Sequence, residues 1–226
     1  YKGFIMALSK LTYNSLNVTA AASKGIGFDS DPDALQADYT AGDMVFIKKL
    51  TASSSSTLSF VDGTSDVVLD NTYKEYLFTF NNIHPSADNN NFQFNLSVDS
   101  GSNYNVTKTT SFFRAEHNES GADAALTYIT GSDLAQGTGF QRINLGLGDD
   151  AEMNLSGYLH LFNPSSTTFV KHFISASNQR HKATPYYCQT AYMAGYGNTT
   201  SAVDAVQFSM SSGNVDAGDI CLYGIN

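Results

Sequence analysis

The sequence predicts an all-β fold: an antiparallel, jelly-roll-like β-sandwich with an extended N-terminal arm. Short segments that alternate apolar and polar residues recur from about residue 43 onward, and polar turns separate them. The chain is rich in Ser, Thr, Asn and Gly, with only 4 Pro and no Trp. Many short strands with regular turns can bury their apolar side chains by packing two sheets face to face. The only helical candidate, residues 132–136, is one turn long at most.

Residues 1–41 lack sustained periodicity, and we interpret them as the arm. They contain small residues at 19–23 and an acidic cluster of Asp29, Asp31 and Asp33. Met6 resembles a natural start, so residues 1–5 are interpreted as an upstream extension. Residues 42–226 form the predicted sandwich domain.

Eleven strands are predicted in the sandwich domain. Phe92, Phe94, Leu96 and Val98 alternate with polar residues, the pattern of a half-buried strand. Asn163 and Pro164 carry type I turn chemistry, so the segments that flank them are predicted to form a hairpin. The predicted strands span residues 44–50, 57–61, 76–80, 92–98, 111–116, 126–129, 155–162, 168–174, 186–196, 205–210 and 220–225.

The last of these strands is apolar on both faces. Ile220 and Leu222 point to one side, and Cys221, Tyr223 and Ile225 point to the other. We therefore expect one face to contact the core and the other to contact another element or subunit.

Charge and composition exclude several classes of function. Charged residues make up 15% of the chain and the net charge is −9, which argues against binding to nucleic acid because phosphate contacts need clustered Lys and Arg. No apolar run is long enough to insert into a membrane, and no secretory signal is visible. Cys188 and Cys221 could pair, but both lie in apolar strand patterns, so we predict that they are buried free thiols.

No catalytic, nucleotide-binding or cofactor motif is present in the sequence, so we predict a protein that is not an enzyme and that holds no cofactor or metal. The sequence also contains weaker candidates for a metal site, a cation site and a catalytic carboxylate pair. They are a metal site at His160 and His172, an irregular cation site at Asp29, Asp31 and Asp33, and the glycosidase-like carboxylate pairs Glu116/Glu119 and Asp150/Glu152.

The densest aromatic segment contains Tyr186, Tyr187, Tyr192 and Tyr196. Tyrosine rings in an exposed strand form stacking platforms, so these four residues are the predicted ligand-binding site. The alternative is that they are shared between the core and a subunit contact.

Four segments resemble structural proteins of marine tailed bacteriophages, and the resemblance spans nearly the whole chain. They are MALSKLTYNSLNVTAAASKGIGF from Met6, YKEYLFTFNNIHPSADN from Tyr73, LFNPSSTTFVKHF from Leu161 and GYGNTTSAVDAVQFSMSSGNVDAGDICLYGIN from Gly195. Cys221 departs from the Lys or Thr that related endings carry more often.

The resemblance implies a virion component, either a tail-fibre or receptor-binding protein or a capsid fibre or decoration. It carries no catalytic residues. The function expected from it is a non-enzymatic structural subunit that contacts other virion proteins through the arm and forms a homo-oligomer, with a trimer favoured. A lectin-like module that binds a host-surface glycan is the alternative, and a glycan-active enzyme is a remote one.

Overall fold

A computed structural model describes residues 27–28, 35–36, 44–181 and 186–226 of the chain. The chain divides into two units, Tyr1–Asp43 and Met44–Asn226. In the first unit the described residues form one antiparallel pair, β1 (Gly27–Phe28) with β2 (Leu35–Gln36). The predicted arm and its acidic cluster otherwise lie outside the described residues, so both stay predictions.

The second unit consists of strands and one short 3-10 helix, Thr130–Ser132, among its described residues. No helix in that part of the chain is long and apolar enough to cross a membrane. The strands are β3 (Met44–Thr51), β4 (Leu58–Val61), β5 (Glu75–Pro85), β6 (Phe92–Ser97), β7 (Lys108–Asn118), β8 (Ala124–Tyr128), β9 (Gln141–Arg142), β10 (Leu155–Phe162), β11 (Lys171–His181), β12 (Tyr187–Gly197), β13 (Ala205–Met210) and β14 (Val215–Ile225).

These strands form two antiparallel sheets, which confirms the predicted sandwich. The large sheet has the order β3-β14-β5-β10-β11-β12-β7-β8, and the small sheet has the order β4-β13-β6-β9. Four pairs are nested like the arms of one long hairpin: β3 with β14, β4 with β13, β5 with β10, and β6 with β9. A long hairpin wrapped into two sheets is the topology of a jelly roll.

The four remaining strands enlarge one sheet of this jelly roll. β7 and β8 are inserted between β6 and β9, while β11 and β12 are inserted between β10 and β13. All four join the large sheet beside β10, so the large sheet has twice as many strands as the small one. The predicted β10–β11 hairpin is confirmed, with Ser166 N donating to Asn163 O at its turn.

The core between the sheets is aromatic. Phe208 of the small sheet lies at its centre and contacts rings from both sheets at centroid distances of 5.3 to 6.4 Å. All of these side chains are buried. The contacting rings belong to Phe60, Phe78, Phe80, Phe92 and Phe94.

Strand β6 differs from the half-buried strand that its alternation predicts. Its polar residues Asn95 and Ser97 are also fully buried, because the chain at Tyr104 and Thr138 covers the second face. Asn95 Nδ2 donates to the carbonyl oxygens of both residues. These two carbonyl oxygens take the place of the water that a polar residue on a half-buried strand would otherwise contact, so the Asn95 amide can be buried.

Strand β14 begins five residues earlier than the sequence predicts. Gly218, with φ of 115°, lies in this early part, and the register with β5 shifts on both sides of Ala217. A Cβ at Gly218 would lie 2.6 Å from Asn82 O, so only glycine allows this approach of the two backbones. Residues 215–219 show no regular alternation in the sequence because of these register shifts, although they are paired in the sheet.

Candidate functional site: the outer face of the large sheet

The large sheet has an inner face, which packs on the core, and an outer face on its opposite side. Phe78, Leu159, Phe173, Met193 and Phe112 point inward and are buried. Because strand side chains alternate, the residues next to them point outward. The outer face is the candidate functional surface because it is apolar across most of its strands.

Two adjacent rows of side chains form the centre of this outer face. The pairing of each strand with the next places the members of a row side by side. From β14 to β7, the first row is Cys221, Thr79, Tyr158, Ala176, Tyr192 and Phe113, and the second is Tyr223, Leu77, His160, Ile174, Ala194 and Ser111. We call these two rows the central rows.

The central rows expose aromatic and aliphatic side chains. Tyr158, Ile174, Tyr192 and Phe113 are each 39–48% exposed. The rings of Phe113 and Tyr192 stack at a centroid distance of 5.0 Å and an interplanar angle of 17°. At the two edges of the sheet the face continues with Phe46 and Tyr128, which are more exposed still.

A depression of about 540 Å³ lies beside the stacked pair. Ala194 and Ser111 form part of its lining because their side chains are short, and Ile174 flanks it. His172 and Tyr196 line it as well, with ring centroids 6.0 Å apart. The depression thus combines an aromatic wall with hydroxyl and imidazole groups, a mixture typical of surfaces that contact another molecule.

The structure does not bring the four predicted tyrosines together. Tyr192 and Tyr196 lie on the outer face, four residues apart on β12. Tyr186 precedes the strand and stacks on Arg180, whose guanidinium carbon lies 3.8 Å from the ring centroid. Tyr187 points to the opposite side and donates its hydroxyl to Asp123 Oδ2, which raises the pKa of the phenol. Only Tyr192 and Tyr196 therefore belong to one surface.

The terminal strand meets its prediction in part. Ile220 and Leu222 are fully buried against the core, as expected. Cys221, Tyr223 and Ile225 point outward and are half-buried, with the Tyr223 ring 5.7 Å from that of Phe46. Neighbouring side chains of the same face bury part of their surface. Contact of the remaining surface with another subunit stays a prediction.

Both cysteines are unpaired, but the prediction that they are buried is wrong. Cys188 is exposed and Cys221 is half-buried, because the inward positions of their strands belong to Gln189 and to Ile220 and Leu222. Four strand spacings separate β14 from β12, a distance of about 19 Å. A disulfide within one chain is excluded, since it requires Cα atoms within about 7 Å.

A second pocket, also about 540 Å³, lies at the end of the large sheet where β7, β11 and β12 meet. Arg180 lines it and joins two carboxylates: its Nε lies 3.2 Å from Glu119 Oε1 and its Nη1 lies 2.6 Å from Glu152 Oε1. The hydrogen bond from Arg180 to Glu152 raises the pKa of the guanidinium. Cys188 and His117 are direct cross-strand partners in the same lining.

The carboxylates proposed as glycosidase pairs separate into different contacts. Glu116 Oε1 lies 3.2 Å from Arg114 Nη2, whereas Glu119 belongs to the Arg180 cluster. Glu152 joins Glu119 there, although the two come from different predicted pairs. Arg180 therefore joins one carboxylate from each predicted pair, and neither pair comes together as the sequence suggests.

The two histidines considered for a metal site lie on the outer face without facing each other. His160 is opposite Ile174, and its Nε2 lies 2.9 Å from Glu75 Oε2. His172 is opposite Tyr196. No group of three His, Cys, Asp or Glu among the described residues is arranged to hold a metal ion.

Two lysines are buried under the same sheet. Lys108 and Lys171 flank Gly197 on the inner face. The Lys108 ammonium donates to Asn95 Oδ1 and to Val106 O, and burial lowers its pKa to about 7. The Lys171 ammonium donates to the carbonyl oxygens of Phe169 and Thr199, and burial lowers its pKa too. Both cations are held by neutral oxygens.

Sequence reasoning missed Phe113, Tyr158 and Ile174. A usable signal was present: each is adjacent to a second large apolar residue in its strand, as in Phe112-Phe113, Tyr158-Leu159 and Phe173-Ile174. Adjacent strand residues point to opposite faces, so such a doublet indicates apolar side chains on both.

Comparison with known proteins gives no relative. No protein-family model, no curated protein and no solved structure matches the chain.

Proposed function

We propose that this chain is a non-enzymatic structural subunit of a bacteriophage particle, either a fibre or a decoration protein. The outer face of the large sheet supports the proposal best. The exposed apolar residues of its central rows lie on four adjacent strands, β10, β11, β12 and β7. Apolar patches of this extent mark surfaces that contact other macromolecules.

The fold and the chemistry of its polar groups agree with this role. A jelly roll is a common architecture of viral shell proteins. The charged groups in the pocket at the end of the large sheet are paired with one another, as Arg180 is with Glu119 and Glu152. The sequence resemblance to marine phage structural proteins implies the same class, and we propose on this ground that the subunit belongs to the virion and has other virion proteins as partners.

Immunogold electron microscopy of purified phage particles that encode this chain tests the proposal. Antibodies raised against the protein should label intact particles at repeated positions on the tail or the capsid. A protein found in the infected-cell lysate but not in purified particles would contradict a structural role. Label position also distinguishes a fibre, with few copies per particle, from a capsid decoration with many.

A second candidate function is recognition of a host-surface glycan at the outer-face depression. The stacked Phe113–Tyr192 pair beside this depression favours it, together with Tyr196, His172 and Ser111 in or near the lining. A sugar ring can stack its apolar side on such an aromatic surface while its hydroxyls contact the polar groups.

The glycan candidate predicts that Tyr192→Ala and Tyr196→Ala each weaken binding on a glycan array by about tenfold, equivalent to about 1.4 kcal/mol. Phe169→Ala is the matched control, because Phe169 is an exposed aromatic residue outside the eight strands. No glycan signal from the wild-type protein, or an equal loss in all three variants, would remove this candidate.

A further inference from the structure

We propose that the outer face of the large sheet is the surface through which a second copy of this chain binds. The inference deepens the proposed structural role by naming the contact that joins the subunits. It rests on three properties of the face: its size, the absence of charged residues from its central rows, and the polar residues that border those rows.

The size of the face matches one side of a stable protein interface. Eight strands spaced by about 4.8 Å span about 34 Å. Four outward rows, the two central rows and one row on either side of them, extend about 20 Å along the strands. The resulting area of about 700 Å² approaches the ~800 Å² that each partner contributes to an interface of standard size. Half-exposed side chains such as Tyr158, Ile174 and Tyr192 supply its apolar centre.

The charge distribution makes the central rows the part of the surface where two copies can meet without repulsion. Each copy carries a net charge of −9, so two copies repel one another over most of their surfaces. The central rows contain no Asp, Glu, Lys or Arg, and their only imidazole, that of His160, lies 2.9 Å from the Glu75 carboxylate. Contact through these rows brings no like charges together.

A row of polar residues borders the apolar centre along one side, from β14 to β12. The next row along the strands contains Asp219, Ser156, Asn178 and Thr190, and the charged cluster of Arg180 lies beyond it. An apolar centre with a polar border is the usual organisation of a protein–protein interface.

Light scattering coupled to size-exclusion chromatography tests the proposal on the full chain. Wild-type protein should elute with at least twice the monomer mass of 24.4 kDa. Ile174→Asp places a charge in the middle of the central rows, where Ile174 is 48% exposed, and should shift the mass to that of the monomer. A native-like circular dichroism spectrum and a cooperative thermal transition verify that the variant is folded; its melting temperature is expected to fall because the stabilising contact between copies is lost.

Phe169→Asp is the matched control, because Phe169 is 68% exposed but lies outside the strands. It should leave the oligomer intact. A monomeric wild-type protein at about 100 μM, or an oligomer that persists in folded Ile174→Asp, would overturn the inference. A monomer that binds glycans through Tyr192 would likewise assign the face to a different occupant. Immunogold labelling of particles tests the structural role, and light scattering tests the contact between copies. One proposal can therefore be contradicted while the other holds.

Discussion

Phe208→Ala is expected to lower the free energy of unfolding by about 3–5 kcal/mol, the usual cost of removing a buried Phe ring. Phe208 is fully buried and contacts aromatic rings from both sheets. The cavity left behind cannot collapse easily, since those rings, including Phe78 and Phe92, are held by their own strands. Urea denaturation followed by tyrosine fluorescence or circular dichroism measures the change in midpoint.

Phe208→Leu and Phe169→Ala provide the comparison. Phe208→Leu keeps most of the buried volume and should cost clearly less than Phe208→Ala. Phe169→Ala removes an equally large ring from an exposed position and should change stability by less than about 1 kcal/mol. Similar midpoints for wild type and Phe208→Ala would show that the two sheets are not joined through this cluster.

The second large effect concerns pH and depends on Lys108. The folded protein releases the Lys108 proton near pH 7 because burial lowers the pKa, whereas an unfolded chain retains it up to about pH 10.5. Between these values the unfolded state binds more protons, so the free energy of unfolding rises with pH. The rise is at most about 1.4 kcal/mol per pH unit. Below pH 7 the buried Lys108 ammonium lowers the free energy of unfolding by its full amount. Above pH 10.5 Lys108 is neutral in both states and no longer lowers it.

Replacing Lys108 with Met isolates this contribution. The variant keeps an apolar stem of similar length but carries no charge, and Asn95 Oδ1 still accepts from Leu96 N. The stability difference between wild type and Lys108→Met should change by about 2–3 kcal/mol between pH 7 and pH 9.5, in favour of the wild type at high pH. Denaturation midpoints at matched pH values measure it.

Lys49→Met serves as the surface control for Lys108→Met. Lys49 is exposed on β3, with its ammonium 3.5 Å from Asp219 Oδ2. Its removal should give a stability difference that is nearly constant over the same pH range. Parallel pH curves for wild type and Lys108→Met would contradict the depressed pKa of Lys108.

Local patterns predicted most strands, but they could not show how the strands are arranged. The segments at β10 and β13 were predicted with their observed bounds, because each alternates cleanly and ends at a turn. The two-residue strand β9 was missed, since Gln141 and Arg142 carry no apolar period and pair only with β6. Strand order, and with it the central rows, depends on contacts between residues far apart in sequence.

The candidate surface was predicted less well than the fold because its residues come from several strands that are far apart in the sequence. Tyr192 and Tyr196 were identified from their density in one strand, whereas their neighbours Phe113 and Tyr158 come from β7 and β10. An outer face becomes visible only when strands are placed in order. The covered polar side of β6 is a similar case, since Asn95 looks solvent-facing until the chain at Thr138 packs over it.

The position of β14 has a consequence for how the chain reaches its native state. This strand lies between β3 and β5, and its Asp219 accepts a hydrogen bond from Thr51, 168 residues away. High contact order of this kind slows folding, because distant segments must meet before their pairing contributes stability. During synthesis, the edges of β3 and β5 that pair with β14 therefore remain unpaired until residues 215–225 have been made. Nascent chains in that interval are the ones most exposed to chaperones and to misassembly.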